Sequence, residues 1–445
     1  MATILTAQTS AAQLTAKILD RTARIGVVGV GYVGLPLALE KTKVGYTVVG
    51  FDRNAKRVEA VNAGQNYIDD VQDAELAGAA ADGRLRASSD FSELANCDVI
   101  VVCVPTPLTI NKDPDISYIR NVGEEIAKTL RPGQLISLES TTYPGTTEEV
   151  LLPILSRTGL VVGHDFFLAF SPERVDPGNK RYTTSNINKI VSGVTAVCCD
   201  VAAMFYRQTV QNVLPVSSPR VAEMTKVFEN TFRAVNIALV NEMALLCDRM
   251  GISVWEVVDA AATKPFGIMR FNPGPGVGGH CIPLDPFYLA WKARQYDFTT
   301  RFIELAGEVN VRMPYFVVEK LTRLLNDAGK SVRYANVLVV GVAYKKDISD
   351  PRESPSLKVI ELLEAAGAAV DYHDPLIPEF TDERGKLRRS TPLTDAALAG
   401  ADCVVILTDH TGIPWERIGA QAQRILDTRN AMGTTRCPAA NVVLL

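Results

Sequence analysis

A strand, a glycine turn, a helix and a second strand ending in an acid follow one another near the start of the chain, and no other stretch restricts the fold as tightly. Ile25-Gly-Val-Val-Gly-Val30 reads as a buried strand, Gly31-Tyr-Val-Gly34 as a turn, the apolar run to Val44 as a helix, and Tyr46-Thr-Val-Val-Gly-Phe51 as a second strand. The switch of hydrophobic period makes this a βαβ unit. Gly29, Gly31 and Gly34, with Tyr32 and Val33 between them, form GxGxxG; glycine there permits the tight turn and the approach of a pyrophosphate to backbone N–H groups at a helix start. Asp52 stands at the end of the second strand, where a carboxylate accepts a hydrogen bond from a ribose 2′-hydroxyl, which favours NAD over NADP. Arg53 beside it is the one local feature that leans toward NADP.

Further apolar strands are expected at Val99 to Val104, Leu135 to Leu138, Phe166 to Phe170 and Lys189 to Val191, with helical stretches between them, as a parallel sheet requires. Residues 23–214 thus read as a dinucleotide-binding domain, preceded by an extension, residues 1–22, in which Ala11 to Arg21 is weakly amphipathic and carries no assigned chemistry. Ser217 to Met250 reads as one helix of roughly 50 Å, or as two broken near Asn236, with Pro219 at its start and Gly251 as its stop. With the helical stretch Thr300 to Leu325 it makes a central helical region, residues 215–330, offering a dimerisation surface. Residues 331–445 repeat the opening grammar: Asn336-Val-Leu-Val-Val-Gly341, a loop, a helix from Ser354 to Ala366, Ala369 to Tyr372 with Asp374, Cys403 to Leu407, and Arg424 to Asp427. The second copy lacks a full GxGxxG, so it is expected to bind something other than the dinucleotide. The expected fold is α/β, two doubly wound Rossmann-like domains joined by a central helical domain with a long helix.

A chain of 445 residues exceeds one ordinary core. Its net charge of −4 provides no field for nucleic acid or an anionic membrane, so neither is an expected partner, and an anionic substrate must be met by local cations. The eight cysteines form no CxxC pair and no metal spacing; reduced thiols in the cytoplasm and no metal are expected. No signal peptide and no run long enough to span a membrane is legible.

The densest chemistry lies in Phe271-Asn-Pro-Gly-Pro-Gly-Val-Gly-Gly-His-Cys281-Ile-Pro-Leu-Asp285, a glycine run able to wrap a phosphate or sugar that delivers a thiol next to His280 and a carboxylate four residues later. Buried cysteines are usually inert, and the other seven are read so. Lys226 and Asn230 lie four apart on one face of the long helix, an ammonium and an amide suited to a developing oxyanion; Glu223 and Glu229 are read as solvated charges. Ser140-Thr-Thr-Tyr-Pro-Gly-Thr-Thr147 follows a strand end, its hydroxyls free to hold water or sugar or to serve as caps. Glu173, Arg174 and Asp176 follow another strand, as a base near the thiol or as a surface ion pair. Thr106 touches the dinucleotide or shapes its turn. Lys345, Lys346 and Arg352, after the first strand of the second copy, are cations placed for a diphosphate.

Together these segments resemble the UDP-glucose/GDP-mannose dehydrogenase family from about Arg24 to the end of the chain. GPGVGGHCIPLDPFYL, LESTTYPGTTEE, SPERVDPGN and VVDAAATKPFG look most like the branch acting on UDP-N-acetylhexosamines, with UDP-N-acetylglucosamine the first candidate. The resemblance implies Cys281 as nucleophile, Lys226 and Asn230 as oxyanion partners, Asp285 and Thr141 as water-positioning groups and Glu173 as base. It also implies UDP held by the glycine run, Gly278 included, and by Lys346, with Arg352 near the cofactor; Arg174, Arg270 and Arg429 complete the candidate substrate contacts. UDP-glucose members carry a second glutamate where this chain has Pro177, which opens the base to Asp176 as well. The implied activity is oxidation of a UDP-sugar C6 alcohol to a carboxylate by two hydride transfers to NAD through a thioester on Cys281, in a homodimer or higher oligomer. A single-step hydroxyacid dehydrogenase would need neither Cys281 nor the second α/β domain, and a sensor that binds both ligands would produce no NADH.

Overall fold

A computed structural model describes residues 2–69, 71–109, 111–176, 178–179, 181–279, 281–382, 384–433 and 440–445. The chain divides into two compact units, Met1–Glu229 with Phe287–Phe298, and Asn230–Pro286 with Thr299–Leu445.

In the first unit the strands are β1 (Arg24–Val28), β2 (Thr47–Phe51), β3 (Leu85–Ser88), β4 (Val99–Val102), β5 (Leu135–Leu138), β6 (Phe167–Phe170), β7 (Lys189–Gly193) and β8 (Val213–Pro215). They make one sheet in the order β3-β2-β1-β4-β5-β6-β7-β8. Ile25 pairs with Val48 in β2 and with Val99 in β4, so the direction of travel across the sheet reverses between β1 and β4, the place where such sheets meet their ligands. β1, β4, β5 and β6 are buried along almost their whole length, which accounts for their unbroken Val, Ile, Leu and Phe content. The expectation of a parallel sheet holds through β6 and then fails: β7 runs antiparallel to β6, Ala169 facing Gly193 and Phe170 facing Ser192. A parallel return needs a crossover, usually a helix; among its described residues the connection 171–188 contains none, and the chain comes back reversed.

The N-terminal extension is a helix, Ala2–Leu19. Leu14 and Ile18 are buried in the core that backs β1 and β2. Tyr46 donates its hydroxyl proton to the carbonyl of Ile18 at 2.7 Å, and the Lys17 ammonium meets Asp98 at 2.8 Å. The extension is thus a working part of the first unit's core.

The long segment is one unbroken helix, Pro219–Met250. Asn236, the residue proposed as a break, donates its side-chain amide to the carbonyl of Phe232 one turn back, which leaves the helical ladder intact. Gly251, at φ +69°, ends it.

The second unit contains the helix Arg301–Asp327 and a five-stranded sheet of β9 (Asn336–Val340), β10 (Ala369–His373), β13 (Cys403–Ile406), β14 (Ile425–Asp427) and β15 (Val442–Leu444). The order is β10-β9-β13-β14-β15, every pair parallel, so its switch point lies between β9 and β13. A separate antiparallel hairpin joins β11 (Glu379–Thr381) and β12 (Leu387–Arg389).

Ile18→Ala should cost the first unit about 3 kcal/mol by opening a cavity in its core, read as a lower urea midpoint. An unchanged midpoint would mean that the extension helix is an appendage.

Candidate functional site

The first unit builds its ligand cradle where β1 and β4 end. Gly29 stands at φ +90°, and a Cβ there would lie 2.3 Å from the carbonyl oxygen of Cys103; one on Gly34 would lie 1.9 Å from that of Gly29. Both glycines are demanded by the chain's own packing. Gly31 differs: a Cβ there would find only Arg57 Nη1, at 3.9 Å, so the space above it is open to a ligand. Tyr32 and Val33 flank it at the surface. Asp52 follows β2 with Oδ2 accepting from Val30 N at 3.2 Å and Arg57 Nη1 at 3.3 Å, and Oδ1 from Asn54 N at 2.9 Å. Arg53 points to Glu125 at 3.6 Å, which draws this cation toward an acid, and Arg57 is paired with Asp52 itself. Thr106 accepts the hydroxyl proton of Tyr288 on its carbonyl oxygen. An open glycine, N–H groups at the start of the helix Gly34–Lys43 and a carboxylate ending β2 fit a dinucleotide with a free ribose 2′-hydroxyl.

Two buried charge clusters stand in the same unit. Lys189 on β7 is 1% exposed and bridges Glu139 Oε2 at 2.6 Å and Glu173 Oε2 at 3.1 Å, while Tyr206 donates to Glu139 Oε1 at 2.7 Å. Burial alone would raise the Glu173 pKa; the Lys189 ammonium and the N–H groups of Val175 and Arg174 outweigh it and hold the carboxyl below its ordinary value. Glu173 therefore stands ionised at neutral pH, with its partners already in place. Arg174 is spent on Glu229, at 2.6 Å, and on the carbonyl of Asn188, at 2.7 Å. The second cluster corrects the expectation that Glu223 is a solvated charge: it is fully buried, accepting from Thr147 N at 2.9 Å, Thr147 Oγ1 at 2.7 Å and Gly145 N, whereas Glu229 stays partly exposed in its pair with Arg174. Glu223 so ties down the segment that bears half-buried Thr141. Lys226, three residues on along the same helix, is buried.

In the second unit, the glycine run is pressed onto its neighbours. Asn241 accepts from Gly274 N at 3.0 Å and donates to Asn310 at 2.9 Å. A Cβ on Gly274 would stand 2.6 Å from Arg429 Nη1, and one on Gly278 2.7 Å from the carbonyl of Glu353. Much of the glycine content thus serves close packing against the loop after β9, a use the composition alone does not distinguish from wrapping a phosphate. Cys281 is exposed at the end of this run. Its carbonyl accepts from Leu284 N at 3.2 Å and Asp285 N at 2.9 Å, a turn that brings buried Asp285 into a hydrogen bond donated by the Asn230 amide. Lys346 faces Asp409 at 3.5 Å, Arg352 grips Asp350 at 2.7 Å and Arg429 donates Nε to the carbonyl of Leu407 at 2.8 Å. Arg270 lies exposed, bound to Asp259 at 2.6 Å. Pro177, His280 and Cys437 lie outside the described residues.

The sheets share one device. Gly341 ends β9 as Gly29 ends β1, at φ +84°, a Cβ there falling 2.4 Å from the carbonyl of Thr408. Asp374 ends β10 as Asp52 ends β2 and accepts from Val342 N at 2.7 Å. Asp374 also takes Ala343 N, Leu376 N, Ile377 N and His410 Nε2 and is buried. With its oxygens filled from within, it is closed to a ribose hydroxyl, which agrees with the expectation that the second copy takes a different ligand. The sequence marks Asp374 only as the acid ending a repeated strand, and gives His410, Glu139, Lys189 and Asn241 no role. Glu223 alone left a signal, since three and seven residues separate it from Lys226 and Asn230, the spacing of a shared helix face.

Three family models match the chain, all of the UDP-glucose/GDP-mannose dehydrogenase family: its NAD binding domain over residues 23–210, its central domain over 220–312 and its UDP binding domain over 338–434. A UDP-N-acetyl-D-glucosamine 6-dehydrogenase of Pseudomonas aeruginosa is 38% identical over 407 residues, 91% of this chain and 94% of that protein. A UDP-N-acetyl-D-mannosamine dehydrogenase of Pyrococcus horikoshii is 36% identical over 413 residues, 92% of this chain and 95% of that one. The solved structure of a UDP-D-ManNAc dehydrogenase from Pyrococcus horikoshii is similar with a TM-score of 0.85 at 34% identity, covering 95% of this chain and 98% of that one.

Two alanine substitutions separate packing from cofactor contact. Gly34→Ala should destabilise the first unit, because its Cβ meets backbone. Gly31→Ala should leave thermal stability unchanged and weaken NAD about tenfold or more in a fluorescence titration, because the added methyl intrudes only on the ligand's space; equal loss of stability in both variants would remove that distinction.

Proposed function

Because this chain belongs to the UDP-glucose/GDP-mannose dehydrogenase family, and is thus an NAD-dependent nucleotide-sugar dehydrogenase, we propose that it oxidises the C6 alcohol of a UDP-N-acetylhexosamine, UDP-N-acetylglucosamine first among them, to the carboxylate through a thioester on Cys281. The observation that carries this reading is an exposed thiol at the end of a braced glycine run, one turn from a buried carboxylate that is itself held by an amide. A thiol explains why oxidation continues past the aldehyde.

We assign NAD to residues 23–214, with Gly29, Gly31, Gly34, Asp52 and Thr106 as its contacts and Arg352 as a further candidate. Bound NAD supplies hydride acceptance. The protein's own groups do the rest. The Cys281 thiolate adds to the aldehyde carbon, forming the C–S bond of a thiohemiacetal, and the oxygen becomes an oxyanion that receives hydrogen bonds from the Lys226 ammonium and the Asn230 amide, each worth a few kcal/mol when preorganised. Oxidation of that adduct leaves a thioester. Asp285 and Thr141 position the water whose oxygen joins the carbonyl carbon as the C–S bond breaks and the sulfur leaves as thiolate. One of the water's protons passes to a carboxylate, Glu173 or Asp176, and the other leaves to solvent as the product acid ionises. Glu173, held ionised by Lys189, suits ordering that water better than storing a proton.

UDP is assigned to residues 331–445 and the glycine run, with Gly278, Lys346 and Arg429 as contacts and Arg174 and Arg270 as lesser candidates. A second sugar reading has its own support, since similar proteins carry both N-acetylglucosamine and N-acetylmannosamine in their names; the two sugars are epimers at one carbon, a difference that a few pocket contacts decide. Phe232, Leu239, Leu246 and Met250 form an exposed apolar stripe on the long helix and support assembly as a homodimer or higher oligomer. No helix among the described residues is long and apolar enough to cross a membrane; a reducing cytoplasm, which keeps the Cys281 thiol competent, is the compartment we propose.

NADH absorbance across UDP-glucose and the N-acetylated gluco, manno and galacto UDP-sugars, with product mass, tests the reading. Two NADH per sugar and a carboxylate are expected, with UDP-N-acetylglucosamine fastest. Cys281→Ser should lower turnover by several orders of magnitude; one NADH with a ketone product, or a serine variant that turns over normally, would sink the thioester route.

A further inference from the structure

The loop that leaves β9 carries Lys345 and Lys346, and a single buried imidazole braces it. Asp374 Oδ2 accepts from Val342 N at 2.7 Å and Ala343 N at 3.2 Å, which anchors the start of the loop, while its Oδ1 is held by Leu376 N and Ile377 N. His410, whose side chain is wholly buried in the loop after β13, lies with Nε2 3.1 Å from that same Oδ2 and Nδ1 2.9 Å from the backbone nitrogen of Asp347. A backbone N–H can only donate, so Nδ1 is the acceptor and the ring proton is assigned to Nε2, pointing at the carboxylate. The imidazole therefore spans the arc 342–347, gripping its start through Asp374 and its end through Asp347. Asp347 is a non-glycine residue at φ +59°, a strained conformation that persists only where partners impose it. Its carboxylate accepts from Thr411 N and Thr411 Oγ1, both at 2.7 Å. Thr408 adds a third brace by donating to the carbonyl of Ala343 at 2.6 Å. The same loop backs the glycine run, Tyr344 lying where Cβ atoms on Gly278 and Gly279 would fall, at 2.9 and 3.0 Å.

We propose that His410 is a positioning residue for diphosphate binding, holding the arc 342–347 so that its lysines are set before a UDP-sugar arrives. The inference rests on the reading that this loop receives the diphosphate. A binding segment that is correctly shaped only part of the time binds more weakly by that fraction, without any change in the contacts it finally makes. Removing the brace should therefore weaken binding and spare the chemistry, none of whose assigned groups belongs to the arc itself.

The test uses the full-length enzyme, with UDP as probe in calorimetry and the NADH assay for turnover. His410→Ala should raise the UDP Kd and the KM for the UDP-sugar together, about tenfold, with kcat within about twofold. His410→Asn, which keeps an acceptor for the Asp347 N–H near the place of Nδ1, should recover part of the loss. Thr411→Ala, an exposed side chain whose removal leaves the core alone, should raise the UDP Kd about threefold and keeps the question open to measurement should His410→Ala fold poorly. Lys346→Ala separates the two levels. If it leaves UDP affinity unchanged, the diphosphate reading of the loop falls; if it weakens UDP while His410→Ala and Thr411→Ala stay within about twofold of wild type, the positioning role alone is overturned. A fall in kcat at unchanged UDP affinity in His410→Ala would overturn it too.

Discussion

Where the chain leaves β1, a Cβ at Gly29 would stand 2.3 Å from the carbonyl oxygen of Cys103; where it leaves β9, one at Gly341 would stand 2.4 Å from that of Thr408. In each sheet two backbones approach too closely for any side chain, and the crevice at the switch point exists because of that approach. The carboxylate at the end of the neighbouring strand then accepts an N–H from the turn, Asp52 from Val30 and Asp374 from Val342. From this shared frame the two units diverge by what else each carboxylate must satisfy. Asp52 keeps room for a ligand, whereas Asp374 is filled by four further donors, one of them His410, and becomes a fixture of the loop that bears the lysines.

Buried charge is used throughout to hold the candidate catalytic segments still. Lys189 between Glu139 and Glu173, Glu223 beneath the Thr141 segment and Asp285 against Asn230 are each positions where an unpartnered group would cost several kcal/mol. Each partnership joins residues far apart in the chain, so that the loop in question cannot shift without stranding a charge. This is a stricter constraint than apolar packing, which tolerates repacking of similar volumes, and it falls on the segments to which the chemistry has been assigned.

Much of the architecture was legible in the residues. The glycine turn after Val28, the acid after Phe51 and the apolar strands give the first sheet its order as far as β6; the same grammar from Asn336 onward gives the second sheet. The long helix was legible from Pro219 to Gly251, Asn236 included once its side chain is seen to bond back along the helix. The antiparallel return of β7 was not, because strand direction depends on the path of the connection 171–188 and not on any property of Lys189 to Gly193. Nor were the short strands β3, β8 and β15, whose few residues acquire their pairing only from a neighbour already in place. Glu223 shows how a charge is misread: the letter suggests solvent, and only the Thr147 and Gly145 N–H groups brought to it by the fold make burial the lower-energy choice.

By itself, then, the sequence determined the fold class, the dinucleotide turn, the family and the set of residue types available for chemistry, because these rest on local spacing: glycines where backbones must meet, apolar runs where strands are covered, a thiol and a carboxylate four residues apart. Tertiary structure alone decided which of those groups are already committed to one another. Arg174 is spent on Glu229, Arg352 on Asp350 and Asp374 on His410, and the glycines of 274–279 are occupied partly in packing. Hydrogen bonding and ion pairing act over a few ångströms of space and are indifferent to distance along the chain, so their outcome is written in the fold.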